Sequence, residues 1–209
     1  FLSAILLLGS FEWFRASVAC RVDMVLSSML FLGLWGLLRW EERDLRGVPW
    51  AAVLALSAAV LAKGPVALVL PSGILGAYLL LRGVKFSRAF VKCVLVGLLS
   101  LPLPLAWYLL AYQQGGDRFL AVVLDENWHR FTGTLGGEIA PHSHSVFYLF
   151  GVLLVGFLPW TIPALLMRSW RFSREQSRRF FTELRGRPRL EQFSIVTCAL
   201  VFFFYAIPE

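Results

Sequence analysis

Three groups of ionisable residues interrupt an otherwise apolar sequence, and each is of a type that could do chemistry. The first is Lys63, which lies in Leu61-Ala62-Lys63-Gly64-Pro65 between two apolar segments. An ammonium at the centre of a membrane helix costs roughly 2.5–3.5 kcal/mol, and less near the interface. Such a lysine is either an anchor that extends its amine to water or a ligand for an anion. A phosphate at the membrane surface is the obvious anion.

The second group is Arg21 and Asp23, which stand just before the apolar run Met24–Leu38. An aspartate at a helix N-terminus is stabilised by the helix dipole, and an arginine beside it can serve as an interfacial anchor. The alternative interpretation is that both side chains line a polar cleft at the outer membrane surface.

The third group lies in the polar stretch Gln113–Ser143 and in His144, which together hold all three histidines. Glu126 and Arg130 are four residues apart, so on a helix they share a face and can simply pair. A glycine-rich segment, Thr132–Gly137, follows them and suits a mobile lid over a site.

Four side chains of this third group are also candidate ligands for a divalent metal such as zinc. No HExxH or CxxC spacing supports such a site, and no other cofactor is predicted. The four candidates are Glu126, His129, His142 and His144.

The composition shows which kind of protein must position these residues. Hydrophobic residues make up 58% and charged residues 16%, against roughly 45–50% and 25% in soluble globular proteins. The apolar residues fall in seven segments, which predict an all-α, polytopic transmembrane helical bundle with about seven full or partial membrane helices. The segments are Phe1–Gly9, Met24–Leu38, Pro49–Ala62, Pro65–Leu81, Ala89–Tyr112, Ser145–Met167 and Gln192–Ile207.

Three of these segments contain prolines that allow a more detailed prediction of their helices. Pro49–Ala62 and Pro65–Leu81 meet at Lys63-Gly64-Pro65, and we expect two helices whose connecting turn lies below the membrane surface. Ser145–Met167 is long enough to span, since about 20 residues cross the hydrocarbon core. Pro159-Trp160 predicts a kink within it.

The basic residues predict how the chain is oriented in a membrane. If Met24–Leu38 runs inward and each later span reverses direction, Arg82–Lys92 faces inside with a charge of +4. Arg168–Glu191 then also faces inside, with eight arginines against three glutamates, whereas Gln113–Ser143 faces outside at −2. Basic loops favour the cytoplasm. The net charge of +7 is therefore explained by topology and by attraction to lipid headgroups, and no nucleic-acid partner is predicted.

The motifs, in this order, resemble those of the GT-C polyprenyl-phosphate-dependent glycosyltransferases. The nearer branch contains the lipid A 4-amino-4-deoxy-L-arabinose transferases and the bacterial relatives of protein O-mannosyltransferases. The resemblance is carried by Arg21-Val22-Asp23-Met24, Ala62-Lys63-Gly64-Pro65 with Pro71, Glu126-Asn127-Trp128-His129-Arg130-Phe131, Leu158-Pro159-Trp160 and the start of a further stretch at Phe202–Glu209.

The resemblance implies that a sugar moves from a polyprenyl-phosphate donor to a lipid or protein acceptor on the periplasmic side of a bacterial inner membrane. Lys63 and Arg21 would bind the donor phosphate, and Asp23 would be a supporting carboxylate. The loop with Glu126, Asn127, His129 and Arg130 would close over the site. The catalytic aspartate of such enzymes would lie before Phe1, since we expect residues 1–209 to be part of one longer transmembrane domain.

Two alternatives from other functional classes stay open. A transporter or flippase usually has binding residues near the bilayer midplane and paired broken helices, whereas one break is evident here, at Lys63-Gly64-Pro65. A non-catalytic membrane subunit would use the polar stretch Gln113–Ser143 as a docking surface for a partner. An acidic residue in a loop after the first span of the complete protein would favour the enzyme.

The charge distribution generates a topology prediction. Asp23 and Gln113–Ser143 should face the periplasm or exterior, while Arg82–Lys92 and Arg168–Glu191 face the cytoplasm. Single cysteines placed in these segments and treated with an impermeant thiol reagent test this in intact cells. Labelling of a cysteine at Arg178 would contradict the orientation.

Overall fold

The computed structural model describes residues 2–19, 22–124, 146–168 and 183–206. Within these ranges every regular element is helical, which confirms the predicted all-α class for the described part of the chain. The α-helices are α1 Leu2–Leu8, α2 Phe11–Val18, α3 Val22–Glu42, α4 Trp50–Lys63, α5 Val66–Leu81, α6 Phe86–Ser100, α7 Pro102–Leu124, α8 Val146–Gly156, α9 Thr161–Arg168 and α10 Arg189–Ala206, and a 3₁₀ turn spans Leu184–Gly186.

Three helical stretches are long and apolar enough to cross a membrane: Val22–Glu42, Phe86–Leu124 and Arg189–Ala206. The apolar helices α4 and α5 are shorter, with 14 and 16 residues. Large apolar side chains are exposed on many helices, and exposed apolar surface on this scale is typical of helices that lie in lipid. The structure therefore indicates a membrane protein with three such stretches, and the total of about seven membrane helices stays a prediction.

Helices α3 and α4 form a close antiparallel pair. A Cβ atom added to Gly36 would lie 3.0 Å from both the backbone nitrogen and the Cβ of Ala52, and one added to Gly33 would lie 2.7 Å from a methyl carbon of Leu56. Small residues at such contacts let two helix backbones approach closely. The first residues of α3 therefore lie beside the last residues of α4. We call this the Lys63 end of the bundle, and the opposite end the Glu41 end.

Helix α5 lies at the centre of the bundle and packs on both sides. Leu75 and Leu79 belong to one buried cluster with side chains of α3, α4 and α6. Ile74 and Tyr78 belong to a second cluster with Phe193 of α10, whose ring meets the Tyr78 ring edge-on at 5.1 Å. This helix therefore connects the α3–α4 pair to α10.

The turn between α3 and α4 is held by side chains from two helices. Asp44 and Leu45 have positive φ angles of 56° and 58°, which are unfavourable for side chains with a Cβ. The indole of Trp40 donates hydrogen bonds to the carbonyls of Arg46 and Gly47, at 3.1 and 3.2 Å. Lys92 of α6 donates to the carbonyl of Leu45 at 2.9 Å and lies over the Trp40 ring. These contacts satisfy the turn's carbonyls and fix its shape.

A buried serine compensates for a proline at the junction of α6 and α7. Pro104 has no N–H and cannot bond the carbonyl of Ser100, its partner in a regular helix. The Ser57 hydroxyl of α4 lies 2.9 Å from that carbonyl oxygen and 2.9 Å from the carbonyl oxygen of Val53. In an apolar environment, serine hydroxyls can satisfy backbone groups that a proline leaves free.

Helix α7 extends beyond the predicted span Ala89–Tyr112 and changes direction near its end. Gly116 has φ 56° and ψ −144°, outside the helical region, and Phe119 packs back against the rings of Trp107 and Tyr108. The stretch predicted as an outer loop, Gln113–Ser143, therefore begins as helix up to Leu124. The rest of that stretch lies outside the described residues.

The predicted kink at Pro159-Trp160 is a complete interruption of the helix. A turn at residues 157–160, with a cis Leu158–Pro159 peptide bond, separates α8 from α9. The Phe11 N–H of α2 donates to the carbonyl of Leu158 at 2.9 Å. The predicted span Ser145–Met167 thus consists, where described, of helices of 11 and 8 residues.

The Ser57 contact yields a stability prediction. Ser57→Ala should lower the unfolding free energy by about 1 kcal/mol, because the Ser100 carbonyl loses its donor in a dry interior. Denaturant titration of the complete protein in detergent measures this. Ser28→Ala is the matched control, since the exposed Ser28 hydroxyl bonds only the carbonyl of Met24 in its own helix. Equal effects of both changes would show that the interhelical bond contributes nothing.

Candidate functional site

The structure brings together two of the residues identified from the sequence, Asp23 and Lys63. Asp23 lies in the first turn of α3, and Lys63 is the last residue of α4. Because these helices are antiparallel and closely packed, the two side chains meet. The ammonium of Lys63 donates a hydrogen bond to Oδ1 of Asp23 and forms an ion pair with it.

Each partner is also favoured by its own helix. A carboxylate near a helix N-terminus and an ammonium at a helix C-terminus both complement the helix dipole. Asp23 and Lys63 occupy these favourable positions. The cost predicted for Lys63 between apolar segments is therefore lowered within the chain itself, because the side chain is partly exposed and pairs with Asp23.

The turn after Lys63 follows from its sequence. Gly64 adopts φ 85° and ψ −160°, a conformation that side chains with a Cβ rarely reach, and its N–H bonds the carbonyl of Val60 at 2.7 Å. Pro65, with φ −62°, immediately precedes α5. The sequence predicted two helices separated at this point, and the structure confirms them.

The Asp23–Lys63 pair is open to solvent or ligand. The side chains of Lys63 and Asp23 are 45% and 55% exposed. Apolar side chains next to them in sequence are exposed as well, among them Val22, Val25 and Leu61. The site therefore combines an accessible cation and an accessible carboxylate with apolar surface, which is the environment of a membrane interface.

The other residues predicted for the site lie outside the described residues. They are Arg21, the loop residues Glu126, Asn127, His129 and Arg130, and the further metal candidates His142 and His144. In the ranges that the structure describes, no group of three or more His, Cys, Asp or Glu side chains is arranged to hold a metal ion. The lid and the metal site stay predictions.

A second polar cluster, at the Glu41 end, was not identified from the sequence. The Glu41 carboxylate accepts a hydrogen bond of 3.2 Å from the Tyr78 hydroxyl. It lies 3.6 Å from Nε of Arg82 and 3.8 Å from Nη1 of Arg189. The Glu41 side chain is only 10% exposed, and a carboxylate so buried needs partners of opposite charge.

The charges along the sequence do not reveal the cluster around Glu41. Glu41 lies in Arg39–Arg46, a segment whose three basic and three acidic residues sum to zero charge. The signal that could have revealed it is helical spacing. Glu41 is four residues after Leu37 and three after Leu38, both buried, so it continues the buried face of α3.

The chain is similar to one curated relative, an uncharacterized protein of Aquifex aeolicus (strain VF5), with 29% identity over 159 residues. The match covers 76% of this chain but 28% of the relative, so the chain spans less than a third of that relative's length. No family model matches the chain. No solved structure matches it either.

The exposure of the Asp23–Lys63 pair predicts a weak contribution to folding. In a double-mutant cycle with Asp23→Asn and Lys63→Met, the coupling energy should be about 0–1 kcal/mol, because exposed ion pairs are screened and lose side-chain entropy. Denaturant titration of the complete protein in detergent, at low and high salt, measures it. A salt-independent coupling well above this range would mean that the pair is a fixed structural element and unavailable to a ligand.

Proposed function

We propose that this chain is part of a multi-pass glycosyltransferase of a bacterial inner membrane. The enzyme would move a sugar from a polyprenyl-phosphate donor to a lipid or protein acceptor on the extracytoplasmic side. The observation that carries the proposal is the accessible Asp23–Lys63 pair, which joins two of the motifs on which the resemblance to GT-C glycosyltransferases rests. The activity, donor and acceptor of the whole protein are parts of this proposal.

The charges at the two ends of the bundle support the orientation that the proposal needs. The Glu41 end carries basic residues from the α3–α4 turn, from the α5–α6 turn and from the start of α10, for example Arg46, Lys85 and Arg189. The positive-inside rule assigns such an end to the cytoplasm. Asp23 and Lys63 then face the opposite side, where lipid-linked sugars are used by enzymes of the resembled family.

The chemistry of the donor suits a cation at the membrane edge. The polyprenyl tail stays in the bilayer, so the phosphate must sit where apolar surface and water meet. When the bond between the anomeric carbon and the phosphate oxygen breaks, the electron pair stays on that oxygen, and the acceptor forms the new bond to carbon. A nearby ammonium stabilises this transition state more than the ground state, because negative charge develops on the phosphate.

Lys63 would reach the phosphate by exchanging one anion for another. In the free protein Asp23 accepts a hydrogen bond from the ammonium and holds it in place. An arriving phosphate replaces the carboxylate as the partner of Lys63, and the exposed pair opens at little cost. Asp23 then lies beside the reacting groups as a supporting carboxylate. The resemblance implies that a separate carboxylate takes the acceptor's proton.

The central test is Lys63→Ala in the complete protein. Transfer from undecaprenyl-phosphate-linked sugars, assayed as a panel in membranes, should fall by on the order of 10-fold to 1000-fold, equivalent to roughly 1.4–4 kcal/mol of lost transition-state stabilisation. Lys63→Arg should retain part of the activity, since the charge survives but the geometry of its donors differs. Binding of undecaprenyl phosphate itself, which all these donors share, should weaken in Lys63→Ala.

Lys85→Ala is the control for this experiment. Lys85 is an exposed lysine in the α5–α6 turn at the Glu41 end, so its loss changes the net charge equally but should leave transfer unchanged. Normal binding and transfer in Lys63→Ala would refute the phosphate role. If the complete protein moved the lipid-linked sugar across the membrane without transferring it, the transporter alternative would replace the enzyme.

A further inference from the structure

Two arginines from different helices converge at the Glu41 end. Arg82 follows the end of α5, and Arg189 begins α10. Their nearest nitrogens lie 3.6 and 3.8 Å from the Glu41 carboxylate, which is too long for a hydrogen bond. In the part of the chain that the structure describes, neither guanidinium donates a hydrogen bond. Each has five N–H donors, so donors remain on both groups for a further ligand. We call the space between the two guanidinium groups, over Glu41, the cleft.

The cleft between these arginines presents a positive surface. Two guanidinium groups share one carboxylate, which leaves a formal charge of +1. The carboxylate is the buried member, at 10% exposed, whereas the side chains of Arg82 and Arg189 are 28% and 43% exposed. The buried Tyr78 hydroxyl also donates a hydrogen bond to the Glu41 carboxylate and orients it. An approaching anion would therefore meet the arginines before the glutamate.

Three other basic side chains near this end are already used by the protein. Lys92 and Arg88 donate to carbonyls of the α3–α4 turn, at 2.9 and 3.5 Å. Arg39 pairs with Glu42 of its own helix. In the cleft, by contrast, guanidinium groups from two helices are available to the same ligand. Convergent guanidinium groups with free donors are suited to bidentate binding of a phosphate.

The surroundings of the cleft favour a lipid over a free ion. Leu80 precedes Arg82 on α5 and is 42% exposed, and Leu190 follows Arg189 on α10 and is 64% exposed. Relative to its arginine, each leucine is displaced along the helix axis toward the apolar middle of its own helix. A ligand with a phosphate and acyl chains would contact both kinds of surface. Basic pockets between membrane helices are known to bind anionic lipid headgroups.

We propose that the cleft formed by Arg82 and Arg189 over Glu41 binds the headgroup phosphate of an anionic phospholipid. The headgroup would lie over the two arginines, with the acyl chains along the outer surfaces of α5 and α10 at Leu80 and Leu190. Glu41 sets the strength of binding, because its carboxylate competes with the phosphate for the same two cations. The site is separate from the Asp23–Lys63 pair and does not depend on the proposed transfer reaction.

Lipid titration of the complete protein in neutral detergent tests the site, with binding followed by native mass spectrometry. The probes are phosphatidylglycerol, phosphatidylcholine and inorganic phosphate. Phosphatidylglycerol should bind in preference to both others, and Arg82→Gln with Arg189→Gln should weaken it by about 25-fold, or about fivefold for each arginine. Arg82→Lys with Arg189→Lys should weaken it less, since the charge remains and only the planar donors are lost.

Arg43→Gln with Lys85→Gln is the matched control, because it removes two basic residues from the same end without touching the cleft. An equal loss in both double variants would show that diffuse surface charge attracts the lipid, and would overturn the site. Inorganic phosphate bound as tightly as phosphatidylglycerol would overturn the assignment to a lipid.

Glu41→Gln provides a test with the opposite sign. Removing the competing carboxylate should raise the affinity for phosphatidylglycerol about fivefold, while the amide oxygen can still accept the Tyr78 hydrogen bond. A cluster that serves only to hold the helices together predicts lower stability and no gain in affinity. Unchanged or weaker lipid binding in Glu41→Gln would therefore contradict the proposal, even if the arginine variants failed to fold.

Discussion

The close approach of α3 and α4 is the constraint on which the Asp23–Lys63 pair depends. It exists because Gly33 and Gly36 present no side chain to α4, and a Cβ at Gly36 would lie 3.0 Å from the backbone of Ala52. With the helices this near and antiparallel, Asp23 reaches Lys63 at one end. A larger residue at Gly36 would force the pair apart, because backbone atoms cannot move aside as a flexible side chain can.

Helix α3 contributes a carboxylate to each of two different electrostatic environments. At the Lys63 end, both charges are about half exposed and their pairing contributes little to stability. At the Glu41 end, the carboxylate is buried, and loss of its partners would leave an uncompensated charge inside the bundle. Since Arg82 and Arg189 extend from α5 and α10, this second cluster also fixes how those helices meet α3. The ion pairs at the Glu41 end thus hold helices together, whereas the Asp23–Lys63 pair can exchange partners.

Features that depend on neighbouring residues were predictable from the sequence. The break at Gly64-Pro65 was predicted because glycine and proline dictate it locally. Asp23 and Lys63 were identified because each is a charged residue at the end of an apolar run. Their pairing was not predicted, since it depends on the register of α3 against α4. Glu41 was missed for the same reason. Its partners, Arg82 and Arg189, are far along the chain, so a count of charges within Arg39–Arg46 does not reveal them.

A phosphate would be received differently at the two ends. At the Lys63 end, binding requires exchange, because the single ammonium must leave Asp23 to pair with the ligand. The released carboxylate would then repel the phosphate unless it finds a donor, and the hydroxyl of an acceptor substrate is such a donor. At the Glu41 end no exchange is needed, because Arg82 and Arg189 have donors to spare while remaining near Glu41. Exchange suits a ligand that must leave after reaction, whereas binding without exchange suits a lipid that stays, so the two sites would divide these roles between the two ends of α3.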